Sequence, residues 1–255
     1  MIDLRATPPP ADWGVDVDPE AVEALAERWA GDAFPLPAFD YPGTPSSREV
    51  SWWFDYVTLS VSVLACLWPP DGEEVWRTEL DGQWLGDAPG IFAVFTRQLM
   101  VPSGLGLERV AALSDAEGAA WFVGEGTLQQ IPQRVALLRQ VAAAVLDRWN
   151  GSVANLEVAA DREGPRMVEL LVETIPGFQD RPHSSAGVLP FDKLAHLAAA
   201  IMAAGLGWGA ACFTGFDDFP VYPDYMLPRV FRHHGVLVYS PEVAGAVDAR
   251  LLIPA

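Results

Sequence analysis

The sequence predicts a mainly α-helical single domain that carries one small β-hairpin. Several segments combine helix start signals with apolar residues at helical spacing, whereas one short stretch carries the pattern of a hairpin. Hydrophobic residues make up 51% of the 255 positions, which is enough for a large core and rules out general disorder. The length fits one large domain or two small ones. We expect an extended segment over residues 1–19 and one domain over residues 20–255.

The N-terminal part of the chain predicts a first helix followed by a loop. Residues 20–30 are preceded by Asp18, a typical N-cap residue, and by Pro19, which fits the first turn of a helix. Gly31 is expected to end this helix. Residues 34–45 hold four prolines and therefore predict a loop.

The next two segments contain the hairpin and one element of undecided type. Residues 49–68 are apolar and rich in aromatic and β-branched side chains, and their periodicity does not decide between helix and strand. Residues 75–80 and 83–85 flank Asp81-Gly82, which is a favoured two-residue turn between antiparallel strands. This hairpin is the one β element that we expect.

The rest of the chain carries helical patterns. Helices are predicted over residues 90–99, 114–122, 132–149, 152–160, 165–173, 191–204 and 225–233. The second of these begins with a capping box, in which Glu117 follows Ser114 by three positions. The third opens with Pro132, carries an apolar stripe on one face and ends at Asn150-Gly151. A short apolar tail follows over residues 235–239.

The charge balance excludes whole classes of partner. The chain has 34 acidic side chains against 16 basic ones, which gives a formal net charge of −18. Nonspecific nucleic-acid binding and docking on anionic membranes both need many cations, so we expect neither. One small anionic ligand stays compatible with this charge, because screening over about 10 Å lets a few local cations outweigh distant acidic groups.

Apolar runs and cysteines bear on the cellular location. Residues 57–68 form a run of about 12 residues, which is too short to span a membrane. Residues 194–213 are mostly Ala and Gly and include His196. The first residues lack the basic start and apolar stretch of a secretory signal. Cys66 and Cys212 lie in apolar runs, which favours two reduced, buried thiols. We therefore expect a cytoplasmic protein.

The sequence lacks the usual signatures of metal and cofactor sites. Its four histidines stand outside the Cys-x-x-Cys and His-x-x-x-His spacings typical of zinc ligands. It contains no dinucleotide-binding Gly-x-Gly-x-x-Gly motif, no Walker loop and no Gly-x-Ser-x-Gly elbow. Gly104 and Gly106 are interpreted as ordinary loop glycines. We therefore expect no metal and no cofactor.

Residues 212–229 form the most unusual segment, because three carboxylates stand there among aromatic residues and prolines. Two interpretations remain open. In one, the segment is a surface turn in which Asp224 caps the following helix. In the other, aromatic walls raise a carboxyl pKa by desolvation and stack on a flat ligand.

Lys193 is the second unusual feature, because the other 15 basic residues are all arginines. It stands between Phe191-Asp192 and an apolar helix, where a solvated charge is unusual. A compact ammonium group suits a phosphate or carboxylate that a planar guanidinium does not fit. The alternatives are that the single lysine reflects coding bias, or that it is partly buried and extends its amine to solvent.

These segments resemble motifs of a known family, the queuosine salvage proteins or queuosine 5′-phosphate N-glycosidases. Residues matching its C-terminal signature are Phe213, Asp224, Tyr225, Pro228, Gly235, Leu237, Tyr239 and Ser240. Phe191, Lys193 and Ala195 match the family's F-Y-K-R-A-Q motif. Residues 50–62 resemble its motif V-N-W-V-F-x-x-D-x-L-N-F-S. The resemblance covers nearly the whole chain from about residue 20.

The resemblance implies a fold like that of the helical DNA glycosylases and a cofactor-independent N-glycosidase. The implied reaction hydrolyses queuosine 5′-phosphate, a small-molecule nucleotide, and releases queuine for salvage into tRNA modification. Asp224 is the implied catalytic residue, because a carboxylate beneath the ribose stabilises oxocarbenium-like charge and orients the attacking water. Lys193 would hold the 5′-phosphate, with Arg229 or His233 nearby.

The same resemblance assigns residues to recognition of the base. Asp55 or Asp180 would pair with the N–H donors of a deazaguanine, although Asp180 also fits a structural role at a helix end. Tyr225, Trp52 and Phe213 would stack on the base. Trp52 and Phe213 are equally compatible with simple core packing.

The sequence departs from the family pattern at several polar positions. The family's Asp and Asn in the first motif are Val57 and Ser60 here, and Asp55 lies two positions from the lost Asp. The Arg after Asp-Tyr is Met226. His196 and Arg229 stand where the family has Gln. Two alternatives follow from these departures: an N-glycosidase for another purine-like nucleotide, or an inactive relative that binds a nucleotide or nucleobase.

Overall fold

The structure, a computed structural model, describes residues 13–31, 39–184, 187–207, 213–216, 219 and 222–251. In chain order the helices are α1 (Pro19–Trp29), α2 (Val50–Ser62), α3 (Asp87–Leu99), α4 (Leu107–Ala111), α5 (Asp115–Trp121), α6 (Ile131–Arg148), α7 (Ala154–Ala159), α8 (Gly164–Thr174), α9 (Lys193–Gly205), α10 (Met226–His233) and α11 (Pro241–Asp248). The strands are β1 (Val15–Val17), β2 (Arg77–Leu80), β3 (Gln83–Gly86), β4 (His183–Ser184), β5 (Gly187–Val188) and β6 (Leu237–Tyr239). The prediction of a mainly α-helical protein is confirmed. Among the described helices, none has the length and apolar character needed to cross a membrane.

The described residues fall into two compact units. The first unit draws on the segments Met1–Pro35, Arg181–Phe191 and Tyr222–Ala255. The second draws on Leu36–Asp180 and Asp192–Val221. Strand β1 lies within the N-terminal segment that we expected to be extended. The predicted domain over residues 20–255 stays a prediction.

Helix α2 forms the centre of the second unit and decides the type of the ambiguous apolar segment. Nine of its 13 residues are buried, including both Trp53 and Tyr56. It packs against α3, α6, α7 and α9. A helix that is covered on most sides needs few polar positions, which is why its sequence lacks an amphipathic period.

Short sequence motifs correctly predicted most of the other elements of the second unit. The predicted hairpin is β2 paired with β3, and Asp81 and Gly82 in its turn both have positive φ, as a type I′ turn requires. Helix α5 begins with the predicted capping box, because the Ser114 side chain accepts from the Glu117 N–H and the Glu117 carboxylate accepts from the Ser114 N–H. The short helix α4 was not predicted.

The apolar run after α2 turns outward, and this changes the environment of a cysteine. Val63 is still buried, but Cys66 is exposed and has a φ of 52°. The prediction of a buried thiol is therefore wrong for Cys66, because the chain has already left the helix and the core at that point. Cys212 lies outside the described residues.

The first unit combines short elements from both ends of the chain. The predicted N-cap is confirmed, since the Asp18 carboxylate accepts from the N–H groups of Glu20 and Ala21 at 2.9 and 3.2 Å. Strand β1 pairs with β6 in antiparallel register, and β4 pairs with β5. The sequence predicted a single β-hairpin, so these two additional strand pairs were not predicted. Helix α11 was not predicted either. The first pair joins residues more than 200 positions apart, for which the sequence holds no local signal.

Gly205, at the end of α9, allows a close approach between two helices. A Cβ atom at this position would overlap the Trp53 indole, whose N–H donates to the Met202 carbonyl at 3.1 Å. We expect Gly205→Ala to lower the free energy of unfolding by about 1–3 kcal/mol through overpacking, measured by urea denaturation. Gly245→Ala is the matched control, since it lies in helix α11 with open space around its Cα and should stabilise slightly. Equal stability of both variants would contradict this packing argument.

Candidate functional site

The start of helix α9 is held by a buried acidic residue. Lys193 is the first residue of this 13-residue helix, and Asp192 before it is 4% exposed with a left-handed φ of 42°. The Asp192 carboxylate accepts from the Asp180 N–H at 3.1 Å, and the Asp192 N–H donates to the Asp180 carbonyl at 3.1 Å. This two-way contact fixes the half-buried Lys193 at the positive end of the helix dipole. Asp180 contributes to this contact through its backbone.

An aromatic cluster extends from the same helix end. His196 follows Lys193 by three positions and therefore shares its helix face. The His196 ring lies 5.2 Å from the Phe219 ring, which lies 4.8 Å from that of Phe216. Phe216 contacts Phe213 at 6.3 Å between ring centroids. The structure thus brings three predicted site residues, Lys193, His196 and Phe213, to one part of the second unit.

Backbone hydrogen bonds hold the segment that carries Phe213. The Thr214 N–H donates to the Arg162 carbonyl at 3.1 Å, and the Gly164 N–H donates to the Thr214 carbonyl at 2.9 Å. The Phe216 ring covers Gly164, where a Cβ atom would lie 2.8 Å from it. Phe213 also packs edge-on against Phe54 at 6.3 Å, so both of its predicted roles, core packing and ligand contact, remain available.

Asp224 lies in the first unit, two residues before helix α10, whose N-cap position is Tyr225. Its carboxylate accepts from the N–H of Met226, the first residue of the helix, at 2.9 Å, so it caps the helix from one position further upstream. Tyr225 is 51% exposed, and the Arg229 guanidinium lies 3.7 Å from the Met226 sulfur. His233 ends the helix, about 10 Å along its axis from Met226. The structure therefore groups Asp224, Tyr225 and Arg229 and leaves His233 at the opposite end of α10.

Trp52 and Asp55 lie in the second unit and line a cavity of about 780 Å³. The Asp55 carboxylate accepts from the Val153 N–H at 2.7 Å, and burial raises the pKa of this carboxyl to about 6. Trp53 lies between these two residues in the sequence. Its indole N–H donates to the carbonyl of Met202, near the C-terminal end of α9. Nine residues of helix separate Met202 from Lys193, or about 14 Å. Among the described residues that line the cavity there is none of α9, so Lys193 is not part of its wall.

The walls of this cavity include a loop that the sequence analysis missed. Gly104 and Gly106, interpreted as ordinary loop glycines, both line it. A Cβ atom at Gly104 would overlap the Gln98 carbonyl, so the loop can lie this close to α3 only without a side chain there. The sequence around these glycines carries no motif that points to a binding site.

Two of the positions that depart from the family pattern present no polar group to a ligand. Val57 is fully buried in α2. Ser60 is also buried, and its hydroxyl donates back to the Tyr56 carbonyl at 2.8 Å. Within the described residues, no three His, Cys, Asp or Glu side chains come together as a possible metal site.

Comparisons with known proteins agree with the motifs. A family model described as "Queuosine salvage protein" matches residues 55–255. A queuosine 5′-phosphate N-glycosylase/hydrolase of Sphaerobacter thermophilus is 25% identical over 249 residues, covering 94% of this chain and 73% of that protein. The proteins of the same name from Dictyostelium discoideum and Bos taurus are 25% and 28% identical, over 52% and 44% of this chain and 41% and 33% of their own lengths. The matched region includes both Lys193 and Asp224.

Proposed function

The chain belongs to the queuosine salvage protein family, and on this premise we propose that it is an N-glycosidase that hydrolyses queuosine 5′-phosphate. Water adds across the bond between the ribose and the base, so that its hydroxyl joins C1′ and a proton goes to the base nitrogen. The products are queuine and ribose 5-phosphate. The observation that carries this proposal is the family match over residues 55–255, which includes both Lys193 and Asp224.

Asp224 is the proposed catalytic residue. Breaking an N-glycosidic bond builds positive charge on the ribose ring, and a nearby carboxylate stabilises that charge and orients the attacking water. The hydrogen bond from the Met226 N–H supports this role, because it fixes one carboxylate oxygen and thereby orients the other. Capping and catalysis are compatible functions of this one side chain.

Lys193 is the proposed phosphate ligand. A helix N-terminus favours an anion through its dipole, and the lysine ammonium adds a full charge at the same place. The contact between Asp192 and the Asp180 backbone supports this role, because it holds the helix start in place. The net charge of −18 favours a free mononucleotide over intact tRNA, since only one phosphate group must be accommodated.

Five further predicted residues have supporting roles in this proposal. Tyr225 and Phe213 offer flat rings on which a base can stack. Arg229, His196 and His233 stay predicted substrate ligands. The cytoplasmic location also stays a prediction.

Lys193→Ala is expected to raise the KM for queuosine 5′-phosphate about tenfold or more while changing kcat little, because the phosphate is remote from the bond that breaks. For the nucleoside queuosine, which has no phosphate, KM and kcat of this variant should be close to those of the parent chain. Steady-state kinetics on both substrates measures this difference. An equal loss on nucleotide and nucleoside would show that Lys193 does not hold the phosphate.

A different base specificity is the second candidate function, and the environments of Val57 and Ser60 favour it. Both positions are polar in the family motif, but here one is aliphatic and the other bonds to its own helix. Incubation with queuosine 5′-phosphate, GMP and AMP, followed by mass spectrometry of the released bases, separates the candidates. Queuine release supports the leading proposal, whereas release of only guanine or adenine supports the second. Tight binding without release would identify an inactive relative.

A further inference from the structure

The cavity lined by Trp52 and Asp55 has the features of a binding site in its own right. Its volume of about 780 Å³ lies within the range of small-molecule pockets, which is about 300–1,000 Å³. Thr44, Ser46 and Ser103 line it together with apolar residues. A wall that mixes polar and apolar groups can both hold and orient a ligand.

The charges around the cavity all have one sign. The charged residues that line it are Asp55 on α2, Asp81 in the hairpin turn and Glu108 on α4, and no basic side chain lines it among the described residues. The nearby Arg48 does not line it: this guanidinium lies over the Trp53 ring at 5.0 Å and donates to the Gly205 carbonyl and the Thr44 hydroxyl. A cavity of this charge attracts a cation and disfavours a phosphate.

Asp55 and Trp52 offer two complementary contacts. One oxygen of Asp55 accepts from the Val153 N–H, and this is the one hydrogen bond that the described residues give its side chain. The second oxygen is therefore available for an N–H donor in the cavity. The half-buried Trp52 lines the same cavity one helical turn before Asp55, which places an aromatic ring on the same helix face as the carboxylate.

We propose that this cavity is a second ligand site, which takes a small flat aromatic molecule carrying an amidinium or ammonium group. The cationic group bonds to the Asp55 carboxylate and the ring stacks on Trp52. The site is distinct from the phosphate site proposed at Lys193, because neither Lys193 nor another described residue of α9 lines the cavity. It does not depend on the proposed glycosidase activity.

Benzamidine is a suitable probe, with its neutral analogue benzamide for comparison, and binding is measured by calorimetry and by quenching of tryptophan fluorescence. At pH 7.5 we expect benzamidine to bind about tenfold or more tightly than benzamide, as a charge-assisted hydrogen bond implies. Because the carboxyl of Asp55 has a pKa of about 6, its negative charge is lost as the pH falls from 7.5 to 5. Benzamidine stays protonated over that range, so its affinity should fall.

Asp55→Asn should remove both the preference for the cation and its pH dependence while keeping an oxygen for the Val153 N–H. Asp81→Asn is the matched control, since it removes an acidic group from the same cavity and should change the affinity less than about twofold. Trp52→Leu, with its fold checked by circular dichroism, should weaken benzamidine and benzamide together.

Three results would overturn the proposal. The first is equal affinity for benzamidine and benzamide, and the second is unchanged benzamidine binding in Asp55→Asn. The third is displacement of benzamidine by saturating queuosine 5′-phosphate, which would make the cavity part of the substrate site. These readouts measure binding alone, so they stay informative even if the chain proves to have no glycosidase activity.

Discussion

Replacing Asp224 with alanine is expected to lower kcat for queuosine 5′-phosphate by about 10³-fold or more, with a much smaller change in substrate affinity. The reason is that the carboxylate acts mainly on charge that develops in the transition state, so its loss affects turnover rather than ground-state binding. Single-turnover kinetics with separately measured binding of queuosine 5′-phosphate tests this expectation.

The capping role of Asp224 requires controls that separate charge from helix stability. Asp224→Asn keeps an oxygen for the Met226 N–H but removes the charge, so it should lose nearly as much turnover as the alanine variant. Asp18 is the matched control, because it caps α1 in the same unit with the same 2.9 Å bond to the second following N–H. Asp18→Ala should cost about 1 kcal/mol of stability and leave kcat unchanged. Near-normal turnover in Asp224→Asn would contradict the catalytic assignment.

Elements with local signals were predictable from sequence, and elements that depend on distant contacts were not. The caps at Asp18 and Ser114 and the turn at Asp81-Gly82 are short-range features, and all three form as predicted. Strand β1 pairs with β6 across more than 200 residues, and no local pattern indicates that partner. Helix α2 was ambiguous for a related reason, since burial by surrounding helices removes the period that distinguishes helix from strand.

The candidate site also combines features that local sequence motifs predict with features that depend on the three-dimensional structure. The motif around Lys193 is local in sequence, and the structure places His196 and the Phe213 cluster beside it. Asp55 lies two positions before a residue that is acidic in the family motif, but two residues along a helix turn a side chain by about 200°. Val57 therefore lies in the core while Asp55 reaches the cavity.

Arg134 is a buried structural residue of the second unit that donates hydrogen bonds to several backbone carbonyls. It lies on α6, is only 5% exposed and donates to the carbonyls of Val63, Ala65 and Cys66, which follow the end of α2. Its Nε group also donates to the Gln129 carbonyl at 2.9 Å. One guanidinium thus satisfies four backbone acceptors, and burial lowers its pKa. Because α2 forms the centre of this unit, these bonds connect its end to the long helix.

Arg134→Leu is expected to lower the free energy of unfolding by about 3–5 kcal/mol, since it leaves the buried Val63 carbonyl and three partly buried carbonyls without this donor. Arg134→Lys should recover only part of this loss, because an ammonium cannot reproduce the forked geometry of the guanidinium. Arg139 on the same helix is the matched control. It pairs with the exposed Asp115 at 2.7 Å and donates to one backbone carbonyl, that of Leu113, at 3.0 Å, so Arg139→Leu should cost about 1–2 kcal/mol.

Urea denaturation followed by tryptophan fluorescence and circular dichroism measures all three variants. If Arg134→Leu were no less stable than Arg139→Leu, the four carbonyls would have to find other donors, and the guanidinium would not be what holds the end of α2 against α6. If Arg134→Lys were as stable as the parent chain, a single positive charge would suffice there. The expected order of stability is the parent chain, then Arg139→Leu, then Arg134→Lys, then Arg134→Leu, because each step removes more of the hydrogen bonding that the buried backbone requires.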